Sequence, residues 1–171
     1  MKESQVFIEM KVSGLTIDPI TNTPIVILKD ETELKVLPIW IGVFEASAIA
    51  AVMESISFAR PMTHDLMNEM IKVLEVSVAK VEIHDLRNNT FFANVYLEKS
   101  GETIKVDARP SDAIALALRS ASPILVEEKV IEKSRNIDMN QKLTDPDKLQ
   151  EEQTKEFLEN LSPEDFGKYK M

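Results

Sequence analysis

Cysteine is absent from this 171-residue chain. Its absence excludes a disulfide framework, a zinc ribbon, an iron–sulfur site and a cysteine nucleophile, and it is compatible with a reducing compartment. Glycine occurs 4 times and proline 8 times, too few for a collagen-like or low-complexity chain. Positive charge is in the minority, with 20 Lys and Arg against 29 Asp and Glu and a net charge of −9. Sequence-independent grip on DNA or RNA rests on many Lys and Arg contacts to phosphate, so this balance disfavours it. A nucleic acid remains open as a substrate where metal ions or a local basic patch screen its phosphates. No apolar run approaches the roughly 20 residues of a membrane span. The longest candidate, residues 37–53, carries Glu45 and is rich in alanine. Residues 1–5 lead into a short apolar alternation and not into a signal-peptide core. These absences lead us to expect a soluble cytoplasmic protein with no membrane partner. What remains, 44% hydrophobic and 29% charged residues, fits a globular core with a solvated surface.

Hydrophobic periodicity predicts an α+β, mixed α/β, chain. Residues 6–15 alternate and read as a strand, followed by a turn around Asp18-Pro19 and Asn22-Thr23-Pro24. Residues 25–28 and 33–41 read as two more strands, with Pro38 marking an edge or an end. Residues 45–54 then favour a helix with Ile49, Met53 and Ile56 on one face. A second helix opens at Thr63-His64-Asp65, with Thr63 as its expected N-cap and Leu66, Met70, Val73 and Leu74 as its apolar face. Residues 76–83, 91–97 and 103–106 read as strands, separated by turns at Arg87-Asn88-Asn89 and Ser100-Gly101. Ser111 is the expected N-cap of a helix through Arg119, and residues 123–126 read as a short closing strand.

The two stretches match in detail. Residues 45–50 align with 112–117 at an offset of 67, while Val12, Leu15, Ile17 and Asn22 align with Val78, Val81, Ile83 and Asn88 at an offset of 66. A one-residue gap reconciles the blocks. We infer an internal duplication of a strand–strand–strand–helix unit over about residues 6–56 and 72–123, building one compact mixed sheet with helices packed on it. The domain is expected over 1–130. Residues 131–171 form an acidic, partly helical tail, in which Leu149, Phe157, Leu158 and Leu161 make a sparse stripe suited to a protein partner.

Three polar clusters stand at junctions where a strand or loop hands over to a helix. They are residues 42–46, Arg60-Pro61-Met62-Thr63-His64-Asp65, and Asp107-Ala108-Arg109-Pro110-Ser111-Asp112. Unpaired N–H groups at a helix start attract anions. Arg60 and Arg109 add planar forks that suit phosphate, with Thr63 and Ser111 as further substrate-binding groups. Glu45, Asp65, Asp107 and Asp112 are the carboxylates that would hold a divalent metal, Mg²⁺ or Mn²⁺. His64 is one of only two histidines and is the candidate general acid or base. Each of these residues also has an ordinary reading as a cap or an ion-pair partner. No nucleophile elbow, H-E-x-x-H, Walker loop or dinucleotide fingerprint is present.

Residues 37–42 with Glu45-Ala46, the run Arg60-Pro61-Met62-Thr63-His64-Asp65-Leu66, and the run 107–117 resemble, in order, the motifs of the bifunctional nuclease domain family. The resemblance covers roughly residues 5–130. It implies a mixed α/β fold, usually paired as a homodimer, and a nuclease activity on DNA and RNA. A C-terminal UVR motif, found in some members, is not recognisable in residues 157–166. The function expected from these readings is a metal-assisted phosphodiesterase with His64, Asp65, Arg109 and Asp112 as catalytic residues and Arg60, Thr63 and Ser111 binding substrate. The alternative is a non-catalytic dimeric module that recognises an anionic ligand or a protein partner. A homodimer is expected as well because a short duplicated unit has strand edges to cover.

Overall fold

Two antiparallel meanders, each followed by helix, account for most of the chain. The computed structural model describes residues 5–135. The first meander comprises β1 (Phe7–Ile17), β2 (Pro24–Asp30) and β3 (Val36–Trp40). Helices α1 (Val43–Met53) and α2 (Thr63–Val73) follow. The second comprises β4 (Ser77–Arg87), β5 (Thr90–Lys99) and β6 (Glu102–Ala108), followed by α3 (Pro110–Ser120). The last elements are β7 (Ile124–Glu127) and α4 (Glu128–Arg135). All seven strands form one sheet in the order β3-β2-β1-β7-β4-β5-β6. β7 runs antiparallel to β1 and parallel to β4, which makes the sheet mixed. With four helices packed on it, this is the α+β architecture that the periodicity predicts.

The two meanders share strand order and fine detail. Pairing slips between Val12 and Gly14 in β1 and between Val78 and Lys80 in β4, so each has a bulge at the same place on the 66-residue offset. Asn22 and Asn88, also matched at that offset, both take left-handed φ values of 55° and 49°. Asparagine tolerates this conformation because its short polar side chain bonds locally. Asn88-Asn89 and Ser100-Gly101 all have positive φ and link strands paired at Arg87↔Thr90 and Lys99↔Glu102. Such two-residue turns match the strand twist.

The core is aliphatic. Met10, Val26, Leu28, Leu37, Ile49, Val81, Ile83, Ile114 and Val126 are almost wholly buried. Val130 and Ile131 are buried too, so α4 belongs to the packed body, which runs past the expected boundary at residue 130 to at least Arg135. The expected acidic tail otherwise lies outside the described residues. Among the described residues, no helix is long and apolar enough to cross a membrane.

Two helices depart from the expected packing. On α1, Ile49 is buried but Met53 is 37% exposed, and Ile56 lies beyond the helix end and is exposed. On α2 the expected apolar face points outward. Leu66, Met70, Val73 and Leu74 are all exposed, whereas Asn68 is buried and His64, Asp65 and Ile71 are partly covered. The inward face of α2 is occupied by polar groups with partners on α3.

Candidate functional site

α3 is the element around which the polar groups gather. Its residues Pro110, Ser111 and Ala113–Ala117 are buried, and its small alanines permit α1 and α2 to approach closely. Arg109 is its N-cap and Pro110 its first helical residue, a position where a missing N–H leaves no bond unmade. Ser111 is therefore inside the helix and buried, and not the expected cap. In α2 the N-cap is Met62 and Thr63 is the first helical residue, so Thr63 too is displaced by one position from its expected role. The start of α2 is instead secured by Asp65, whose Oδ2 accepts a hydrogen bond from the Met62 N–H at 2.9 Å.

Four of the expected residues meet. Arg109 Nε donates to Asp112 Oδ2 at 2.7 Å, and Arg109 Nη2 donates to Glu45 Oε1 at 2.7 Å. His64 Nε2 lies 2.9 Å from Asp112 Oδ1. Burial opposes ionisation of Asp112, but hydrogen bonds and charge from Arg109 and His64 outweigh it and hold its carboxyl below the ordinary carboxylate range. Ionised Asp112 only accepts, so His64 Nε2 is the donor and Nδ1 of a neutral ring is left as the proton acceptor. The hydrogen bond from Arg109 to Asp112, reinforced by Glu45 against the opposing effect of burial, raises the Arg109 pKa further. Despite its two ion pairs, the Arg109 side chain is 66% exposed, while those of His64 and Glu45 are 12% and 16% exposed. Glu45 and Asp112 occupy equivalent first-turn positions of α1 and α3, the two duplicated helices. The site therefore straddles the duplication, with Arg109 contributed only by the second unit, where the first has Gly42.

The remaining expected residues fall elsewhere. Asp65 does not join the four. Its Oδ1 accepts from Arg119 Nε at 2.6 Å, and its carboxyl is held below the ordinary range first by the Met62 N–H and then by Arg119. Arg60 lines a separate cavity beside Asp65 and Arg119. Asp107 is exposed on β6 opposite Asn94 and makes none of the contacts that link the other residues.

The four carboxylates fit a metal poorly as they stand. Both oxygens of Asp112 and both of Asp65 are engaged, Asp107 stands apart, and among the described residues no three such donors group around one point.

Arg119 was not singled out by its spacing. Its side chain is 6% exposed, pairs with Asp65 on α2 and donates from Nη1 to the carbonyls of Ala48 and Ala115 at 3.0 and 2.9 Å. One guanidinium thus joins α1, α2 and α3. The available signal was a lone cation ending the run Ala113-Ile114-Ala115-Leu116-Ala117-Leu118.

Known proteins share this arrangement of sequence. An uncharacterised protein of Mycobacterium tuberculosis is 38% identical over 169 residues, which is 92% of this chain and 97% of the relative. Bifunctional nuclease 1 of Arabidopsis thaliana is 33% identical over 110 residues, 61% of this chain and 34% of the plant protein. Bifunctional nuclease 1 of Oryza sativa subsp. japonica is 30% identical over 106 residues, 60% of this chain and 32% of the plant protein. The profile of the bifunctional nuclease domain matches residues 26–138, from β2 beyond α4 and across every residue of the four-membered cluster. On this match, the chain belongs to the bifunctional nuclease domain family.

Proposed function

We propose that this protein is a nuclease that cleaves phosphodiester bonds of DNA or RNA at the His64–Asp112–Arg109–Glu45 cluster. The observation that carries the reading is the combination of a His–Asp pair with an arginine that stays 66% exposed although two acids hold it in place. A guanidinium used only as an internal brace gains nothing from such exposure. Asp112 accepts from His64 Nε2 and so orients the ring, while Glu45 and Asp112 fix the Arg109 fork. His64 Nδ1 takes the proton from an attacking water, or from the 2′-hydroxyl of RNA, as that oxygen bonds to phosphorus. The P–O bond to the leaving oxygen breaks, and the imidazolium returns the proton to that oxygen. Arg109 donates to the non-bridging oxygens, where negative charge builds.

Among the described residues the acids do not converge as a donor set, so His64 and Arg109 carry these roles. The test is cleavage of single-stranded DNA and RNA by the purified protein beside Arg109→Ala and Asp112→Asn. Loss of the dyad is expected to slow the chemical step by about 10²–10⁴-fold, the usual contribution of a positioned general base. Variants that cleave as fast as the parent would overturn the assignment. Loss of cleavage in EDTA with recovery in Mg²⁺ or Mn²⁺ would mean that Arg109 yields Glu45 and Asp112 to an ion.

We propose in addition that the chain pairs with a second copy through the outer face of α2. Leu66, Met67, Met70, Val73 and Leu74 are 53%, 40%, 57%, 79% and 59% exposed, and a contiguous apolar face of this kind marks a binding surface.

A further inference from the structure

A cavity of about 540 Å³ opens between the end of α1 and the start of α2, lined by the connecting segment through Arg60 and by Asp65, Asn68 and Arg119. Its volume lies within the range of small-molecule sites. The Arg119–Asp65 pair lines it, with the Arg119 side chain 6% and that of Asp65 34% exposed. Its walls mix the half-exposed Phe58 and Ile56 with the hydroxyls of Ser55 and Ser57. Arg60 is exposed on its rim and, among the described residues, makes no ion pair or hydrogen bond. The cationic fork is therefore available for a ligand without breaking an ion pair, unlike that of Arg119. Asp65 lines the cavity while the adjacent His64 binds Asp112, so the cavity and the proposed reaction centre share the first turn of α2.

We infer that this cavity holds the nucleotide next to the scissile phosphate, with Phe58 under its base and Arg60 on its phosphate. This rests on the nuclease reading. An aromatic face accepts any base, because every base has a face to stack. A base inside a duplex is already stacked, so the occupant is single-stranded nucleic acid.

The experiment compares wild-type protein, Phe58→Ala, Arg60→Ala and Arg60→Lys on two substrates, oligodeoxythymidylate and bis(p-nitrophenyl) phosphate. The second substrate has a scissile phosphodiester but no neighbouring nucleotide. Phe58→Ala and Arg60→Ala are each expected to raise KM for the oligonucleotide about tenfold, as the loss of one stacking or phosphate contact implies. Arg60→Lys restores part of the loss. Turnover of the small diester stays unchanged, and melting curves confirm folded variants. Unchanged oligonucleotide KM, or an equal loss on both substrates, overturns the cavity assignment while leaving the nuclease reading in place. Hydrolysis of neither substrate by wild type overturns the nuclease reading and this one with it. If Phe58→Ala instead converts a dimer to monomer in light scattering, the cavity belongs to a contact between copies and the inference falls.

Discussion

Arg119 and Asp18 show how single side chains hold this fold together. Removing Arg119, whose side chain is 6% exposed, leaves the partly covered Asp65 carboxylate without its cation, at about 1–3 kcal/mol. Arg119→Ala also removes the side-chain donor that the helical carbonyls of Ala48 and Ala115 share. We therefore expect this variant to lower the midpoint of urea titrations clearly more than the exposed Arg60→Ala does. Asp18 caps the turn after β1 by accepting from Trp40 Nε1 at 2.9 Å and from the Ile20 N–H at 2.9 Å, and these bonds lower its pKa to about 2. A carboxyl depressed in the folded state stabilises above its ordinary pKa of 3.8 and loses that contribution as pH falls toward 2. Melts followed by Trp40 fluorescence should decline over that window, and Asp18→Asn should flatten the decline. At this scale the sequence was only partly legible. The meeting of His64, Arg109, Asp112 and Glu45 was legible in part because each stands at a helix start. Arg119 and Asp18 were not, because each acts through a partner distant in the chain, Asp65 in one case and Trp40 in the other. The caps at Thr63 and Ser111 were each misplaced because a neighbouring residue, Met62 or Arg109, takes the extended backbone of the cap.

Among the elements, α2 is the most instructive. Periodicity locates its two faces correctly but cannot say which one is inside. The usual rule turns the apolar stripe toward the core. Here the polar stripe is turned inward because His64, Asp65 and Asn68 have partners waiting on α3, namely Asp112, Arg119 and the Arg119 carbonyl. The outward stripe is left exposed and is the face proposed for pairing. Under the proposed pairing, the parent protein should be a dimer in light scattering at micromolar concentration, and Met70→Glu combined with Val73→Glu should give a folded monomer. These positions touch little of the core, so a monomeric parent protein would overturn the pairing. The strands were the most legible elements, since alternation and turn residues such as Asn88-Asn89 and Ser100-Gly101 are local signals. α4 was missed because its buried pair, Val130 and Ile131, is too short a pattern amid charged neighbours to stand out.

At the scale of the whole molecule, the duplication explains why the sheet has two like wings, and β7 explains why they are one sheet. A chain ending at Arg135 is expected to keep a cooperative melting transition, because the described elements already enclose an aliphatic core. Loss of all cooperative unfolding in that truncation would show that later residues are needed. Ending instead before Ile124 should abolish the transition, since β1 and β4 then have no strand between them. The position of β7 also sets the order of events during synthesis. Each meander closes through neighbours in sequence, whereas Phe7 must wait for Glu127. On a ribosome, the inner edges of both wings emerge long before the four residues that cover them. Unpaired edges of that kind recruit other chains. Slowing translation just upstream of the β7 codons should therefore lower the yield of native protein, while an equal pause after α4 should not.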